Sequence, residues 1–142
     1  MKTICLIASR GNQLDAPAKA KKLYVNSIFK ACYRYAKILQ PDLIFILSAK
    51  HGIVKPDDIV HPYDDTLNNK SKSVLIAWAI QTLDKLNLFC DLSNDKFIFL
   101  AGGYYVKHLS SRIKNYETPL EGVKMANQLH FLKWKTAEYQ SP

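Results

Sequence analysis

The chain has 142 residues, 48% of them hydrophobic and 23% charged, with a formal net charge of +8. That balance suits one domain, residues 1–142, with a self-sufficient core, and excludes a fibrous repeat or a disordered chain. Cys5, Cys32 and Cys90 are odd in number, far apart and set among apolar neighbours, which argues against a disulfide framework and for reduced core thiols.

Lys2 to Ala8 (KTICLIA) is β-branched and apolar and reads as a buried strand. With one lysine and a short apolar run that passes into polar sequence, it is too short for a membrane span and lacks the form of a signal peptide, so the expected compartment is the cytoplasm and no membrane partner is expected. From Arg10 to Lys37 seven basic residues stand against Asp15 alone, a stretch suited to a polyanion or to a solvated helix face. Phe29, Cys32, Ala36 and Leu39 then recur at helical spacing behind a cap at Asn26 or Ser27. Asp42 to Leu47 reads as a second buried strand. It runs into LSAKHGIVKPDDIVHPYDDTL, residues 47–67, a polar segment expected to lack regular structure and to carry chemistry, as loops on a rigid scaffold do.

After the polar run Asn68 to Lys72, Leu75, Trp78, Ala79, Thr82 and Leu86 mark a second helix, and Phe97 to Ala101 (FIFLA) a third buried strand. Gly102 and Gly103 lead into a helix predicted over Tyr104 to Lys114. A short strand follows, and Met125, Leu129 and Leu132 mark a last helix. Strands without clean alternation are covered on both faces, and strands alternating with helices predict a three-layer α/β sandwich with a mostly parallel central sheet. Ligands of such folds bind beyond the carboxyl ends of the strands. Three strand ends would meet there: Ser9, Arg10, Gly11 and Asn12; Ser48, Ala49, Lys50 and His51; Gly102, Gly103 and Tyr104. No C-x-x-C or H-E-x-x-H spacing occurs, so neither a metal nor another cofactor is expected.

The run SRGNQLDAPAKAKKLYVNSIF from Ser9 to Phe29, the segment ILSAKHGIVKPDDIVHPYDDTL, LAGGYY, PLEG at 119–122 and QLHFLK from Gln128 together resemble a small uncharacterised bacterial and phage family. That family is similar to the YaaA peroxide-stress proteins and the archaeosine synthase core, and distantly to the uracil-DNA glycosylase superfamily. The resemblance implies a uracil-DNA glycosylase-like α/β fold handling nucleic acids or modified bases. Ala8 stands where the family often has a cysteine before the serine, which argues against a cysteine-dependent mechanism.

The expected activity is therefore on a nucleobase or nucleotide, by cleavage or modification at an N-glycosidic bond or base. Asp64 or Asp58 would orient water or stabilise a cationic sugar, and His51, beside Lys50 and Ser48, would donate to a departing base. Asp57 and Asp65 read equally well as turn caps. Tyr63 would stack on a flipped base or anchor the loop. Ser9, Arg10, Gly102, Gly103, Tyr104 and Gln128 complete the expected substrate site, while Lys19, Lys22 and Arg34 would contact phosphate. Tyr24 and Phe29 are assigned to the core. A noncatalytic DNA- or RNA-binding protein of the YaaA type, or a small-nucleotide-binding regulator, is the competing reading.

Overall fold

The structure, a computed structural model, describes residues 1–140; the last two residues of the domain expected over 1–142 lie outside the described residues. In chain order the elements are β1 (Thr3–Ala8), β2 (Ala18–Lys19), α1 (Ala20–Leu23), α2 (Ser27–Ile38), β3 (Leu43–Ser48), β4 (Gly52–Val54), β5 (Ile59–Val60), α3 (Lys72–Leu86), β6 (Lys96–Leu100), α4 (Gly103–Leu109), β7 (Tyr116–Glu117) and α5 (Met125–Gln140). The five-stranded sheet has the order β4-β3-β1-β6-β7.

Side-chain alternation along the strands accounts for the layers. Ile4, Leu6 and Ala8 of β1 join Phe45, Leu47, Phe97 and Phe99 beneath Leu75, Trp78, Leu83 and Leu86 of α3 and Leu109 of α4. Cys5 and Ile7 point the other way, joining Ile46, Ile98 and Leu100 beneath Phe29, Cys32 and Ala36 of α2 and Leu132 of α5. Both faces are covered, so both sets of alternating positions must be apolar. Each large side chain buried here contributes about 1.5–3 kcal/mol. All three cysteines are free and buried, and burial pushes the Cys5 thiol up to about 12, so it stays protonated and inert.

Helix starts follow local chemistry. Asn26 caps α2, its side chain accepting from the Ile28 and Phe29 N–H groups at 2.9 and 3.2 Å, and Ser71 caps α3 by accepting from Val74. The helix expected to reach Lys114 instead ends at Leu109 and continues as a 3-10 turn over Ser110–Arg112, where two serines weaken helix propensity.

The central sheet is mostly parallel and mixed at one edge: β3, β1, β6 and β7 run parallel, and the edge strand β4 pairs antiparallel with β3. One expectation needs correction. The segment 47–67 is accordingly not without regular structure. The turn Ala49–His51 follows β3, and Gly52, at φ +78°, opens β4, which the apolar Ile53 and Val54 continue. Further on, Ile59–Val60 pairs antiparallel with Ala18–Lys19 in a two-stranded ribbon that hydropathy alone did not reveal. Among the described residues no helix is long and apolar enough to cross a membrane.

The connections place a crevice beside β1. The chain leaves β1 through α2 to reach β3 on one side, then returns through α3 to β6 on the other side. At such a switch point successive connections diverge to opposite faces and leave a gap above the strand ends.

Candidate functional site

A cavity of about 450 Å³ opens at that point. Its walls come from the ends of three of the parallel strands and the segments that follow them: Ala8, Ser9 and Arg10 at β1, Ala49 after β3, and Gly102 after β6. Tyr104 and Tyr105 of α4, Met125 and Gln128 of α5, Tyr24, and the segment Asp65–Asn68 with Tyr63 complete it.

Hydroxyl groups form one side. Ser48, fully buried at the end of β3, hydrogen-bonds the Tyr63 phenol at 2.9 Å, and that phenol bonds the Tyr24 hydroxyl at 2.5 Å. Ser48 Oγ also accepts from the His51 N–H at 3.1 Å, and the Ser48 carbonyl accepts from Trp78 Nε1 at 3.0 Å. Tyr63 is held from its backbone as well, donating to Gln13 Oε1 at 2.9 Å. Burial, then the bond to Tyr63, pushes the Tyr24 phenol well above the usual range, against the opposing pull of Ser9 and Ser48. Burial raises Tyr105 too, with Ser9 again opposing. These phenols are therefore neutral donors and acceptors at physiological pH.

The cation of the cavity is Arg10. Its Nη1 donates to Gln128 Oε1 at 3.2 Å and lies 3.6 Å from Met125 Sδ. Gln128 is buried and anchored in turn by donating to the Val123 carbonyl at 3.2 Å. Among the described residues no carboxylate pairs with Arg10. An oriented guanidinium without a counter-ion at a cavity wall suits an anionic or carbonyl-rich ligand. The carboxylate of the cavity is Asp65. Lys70 donates to it at 2.8 Å and holds it below the usual carboxylate range, so it is ionised at neutral pH.

The sequence-predicted residues separate into groups. Ser9, Arg10, Tyr63, Gly102, Tyr104 and Gln128 line the cavity together. Ser48 lies behind it and positions Tyr63. His51 and Lys50 pack on the Tyr63 ring, at 5.5 Å between ring centroids and 6.0 Å from Nζ to centroid, without lining the cavity. Burial, then Lys50 and Lys85, lowers the His51 pKa, which favours its neutral form. Asp64 is exposed and lines an adjoining groove with Asn12, Asp15 and Pro62. Asp58 caps its own turn, accepting from the Lys55 N–H at 2.9 Å. Gly103 lines a second chamber behind Gly102.

The phosphate-contact set lies away from the cavity. Lys19 pairs with Asp57 at 3.8 Å, Lys21 pairs with the same carboxylate at 2.8 Å, Lys22 is exposed, and Arg34 sits beside Lys133 between α2 and α5. Asp57 thus offsets part of the basic stretch. Residues that pattern reading did not select are Asp65, Tyr24, Tyr105, Gln13, Leu67, Asn68 and Met125. The pair Asp64-Asp65 shows why: two adjacent aspartates are equivalent in sequence, but in the fold Asp65 lines the cavity and Asp64 the adjoining groove. Tyr24 carried a signal that was read only in part, since a buried tyrosine needs a partner for its hydroxyl.

Fold and site together define an α/β protein with a polar, aromatic-walled cavity at the carboxyl ends of its strands. The chain belongs to a family of unknown function, DUF6884, whose model matches residues 4–134 and so spans every cavity residue. It is also similar to the uncharacterized protein YfjM of Bacillus subtilis (strain 168), with 30% identity over 124 residues that cover 82% of this chain and 81% of that relative.

Proposed function

We propose that the protein acts on a nucleobase held in this cavity and breaks the N-glycosidic bond that joins the base to its sugar. The observation that carries the reading is the combination of tyrosine walls, a guanidinium with no carboxylate partner among the described residues and an ionised carboxylate in one opening of about 450 Å³, within the size range of small-ligand sites. Tyr63, Tyr104 and Tyr105 offer ring surface to a planar heterocycle. Arg10 and Gln128 offer donors to its carbonyl oxygens. Asp65 supplies the negative charge that favours an oxocarbenium-like sugar.

In the proposed step a water oxygen bonds to the anomeric carbon as the C–N bond breaks, and the base leaves with the bonding pair. Asp65 orients the water and accepts one of its protons; Arg10 stabilises the negative charge on the departing base, which takes up a proton from solvent. Net consumption is one water per base released. The resemblance to YaaA proteins, the archaeosine synthase core and, distantly, uracil-DNA glycosylases supports this assignment, as does the three-layer arrangement of helices about the sheet.

The test is to incubate the purified protein with nucleotides and with short DNA and RNA carrying normal, deaminated and oxidised bases, and to score binding and released base. Release by the wild type that disappears in Asp65→Asn, with binding retained, is the expected result. Binding without release by the wild type would make the protein a noncatalytic nucleic-acid- or nucleotide-binding module. Absence of both would overturn the nucleobase assignment.

A further inference from the structure

A second chamber, of about 470 Å³, adjoins the first and shares Gly102 and Gln128 with it as common wall. It is lined by Gly103, Val106 and Lys107 of α4, Tyr116 of β7, and the turn Thr118–Val123. The two chambers are nearly equal in size, and each lies at the lower end of the range for a ligand pocket. A Cβ at Gly102 or Gly103 would meet no protein atom within 4 Å, and neither residue has a positive φ, so neither packing nor backbone conformation of the protein requires glycine there. What side chains at 102 and 103 would occupy is the space between and within the chambers. Each chamber also carries one cation without a carboxylate partner among the described residues, Arg10 in the first and Lys107 in the second. Glu121 lies in the second chamber too, its Oε2 accepting from Thr118 Oγ1 at 2.9 Å.

We infer that the ligand is an oligonucleotide rather than a free nucleoside or mononucleotide, with the target nucleotide in the first chamber and its neighbour in the second, the connecting backbone crossing the bare strip at Gly102. This rests on the proposed nucleobase site and extends it to a substrate class. Lys107 contacts the phosphate of the neighbouring nucleotide, and Tyr116, exposed at the edge, offers its ring to the neighbouring base. Glu121 repels phosphate and accepts from an exocyclic amine, so phosphate lies toward Lys107 and the base toward Glu121.

Isothermal titration at fixed salt would compare nucleoside monophosphates with matched dinucleotides, on the wild type and on Lys107→Glu, a substitution at an exposed position. The dinucleotide is expected to bind the wild type about tenfold tighter or better, the lower part of what one stacked base contributes. Lys107→Glu is expected to erase that advantage while leaving mononucleotide affinity within about twofold, a span small beside one decade. Equal affinity for the two ligands would overturn the inference and leave the nucleobase site standing. A dinucleotide advantage that survives Lys107→Glu would also overturn it, because the second nucleotide would then lie elsewhere. Failure of both ligands to bind would instead remove the nucleobase reading beneath it.

Discussion

At the end of the sheet where the strands begin, carboxylates are committed to the fold. Asp42 accepts from the Thr3 N–H at 2.7 Å, and Asp95 accepts from Lys2 and Asp91, both at 2.8 Å. Those backbone bonds, Asp91 first, hold the Asp95 carboxyl below its ordinary range. At the opposite end, where β1, β3 and β6 finish, Arg10 has no ionic partner among the described residues and Gly102 forms part of the wall between two chambers. Aspartate composition does not distinguish the ends. A cation that the fold leaves without an ionic partner does, because a charge at a cavity wall can serve a ligand only if the protein does not neutralise it.

The sharpest way to break this contrast is at the end that carries the proposed site. Asp65→Asn is expected to lower base release by roughly 10²–10⁴-fold, the range for loss of a positioned proton-transfer group, with dinucleotide affinity largely retained. Single-turnover kinetics would check it, and an unchanged rate would sink the assigned role. Next in size is Arg10→Ala, expected to weaken oligonucleotide binding about ten- to hundredfold, as for loss of a charged hydrogen bond. Asp95→Ala is its counterpart at the closed end: the melting temperature falls, and by more than for Asp58→Ala in its exposed turn, while affinity per folded molecule is unchanged. A loss of affinity in Asp95→Ala without a loss of stability would abolish the distinction between the two ends.

Tyr63→Phe probes the seam between fold and site. Removing the phenol leaves the Ser48 and Tyr24 hydroxyls short of a partner, at an expected cost of about 1–3 kcal/mol in urea unfolding. The smallest effect concerns pH. His51 has a folded-state pKa below its ordinary 6.5, so the unfolded chain binds the proton more readily and the contribution of neutral His51, full above 6.5, is lost as pH falls. The melting temperature is therefore expected to decline as the pH falls below about 6.5, and His51→Gln should flatten that decline. An equally steep decline in the variant would assign the effect to other groups.

Much of this was legible before folding was considered. Strands β1, β3 and β6, helices α2 and α3, and the meeting of Ser9, Arg10, Gly102 and Tyr104 at strand ends follow from apolar runs, caps and the alternation of elements. The antiparallel β4 was hidden because a three-residue strand has too few positions to show a period, and it opens on one glycine at φ +78°. The choice between Asp64 and Asp65 was hidden for a related reason: adjacent aspartates are equivalent in sequence, and only the fold, with Tyr63 anchored to Gln13, Ser48 and Tyr24, places Asp65 on the cavity and Asp64 on the adjoining groove.

Local chemistry along the chain was enough to decide the long strands β1, β3 and β6, the helices α2 and α3 and that three polar strand ends share a rim, since hydropathy period and capping act over a few residues. Tertiary structure alone decided which polar groups remain available there. Arg10 is oriented by Gln128, 118 positions away, the basic stretch is partly offset by Asp57 across the ribbon of β2 and β5, and the two chambers exist because α4 and α5 converge beside Gly102. The physical reason is that hydrogen-bond and charge satisfaction depend on distance in space, which hydropathy along the chain does not encode.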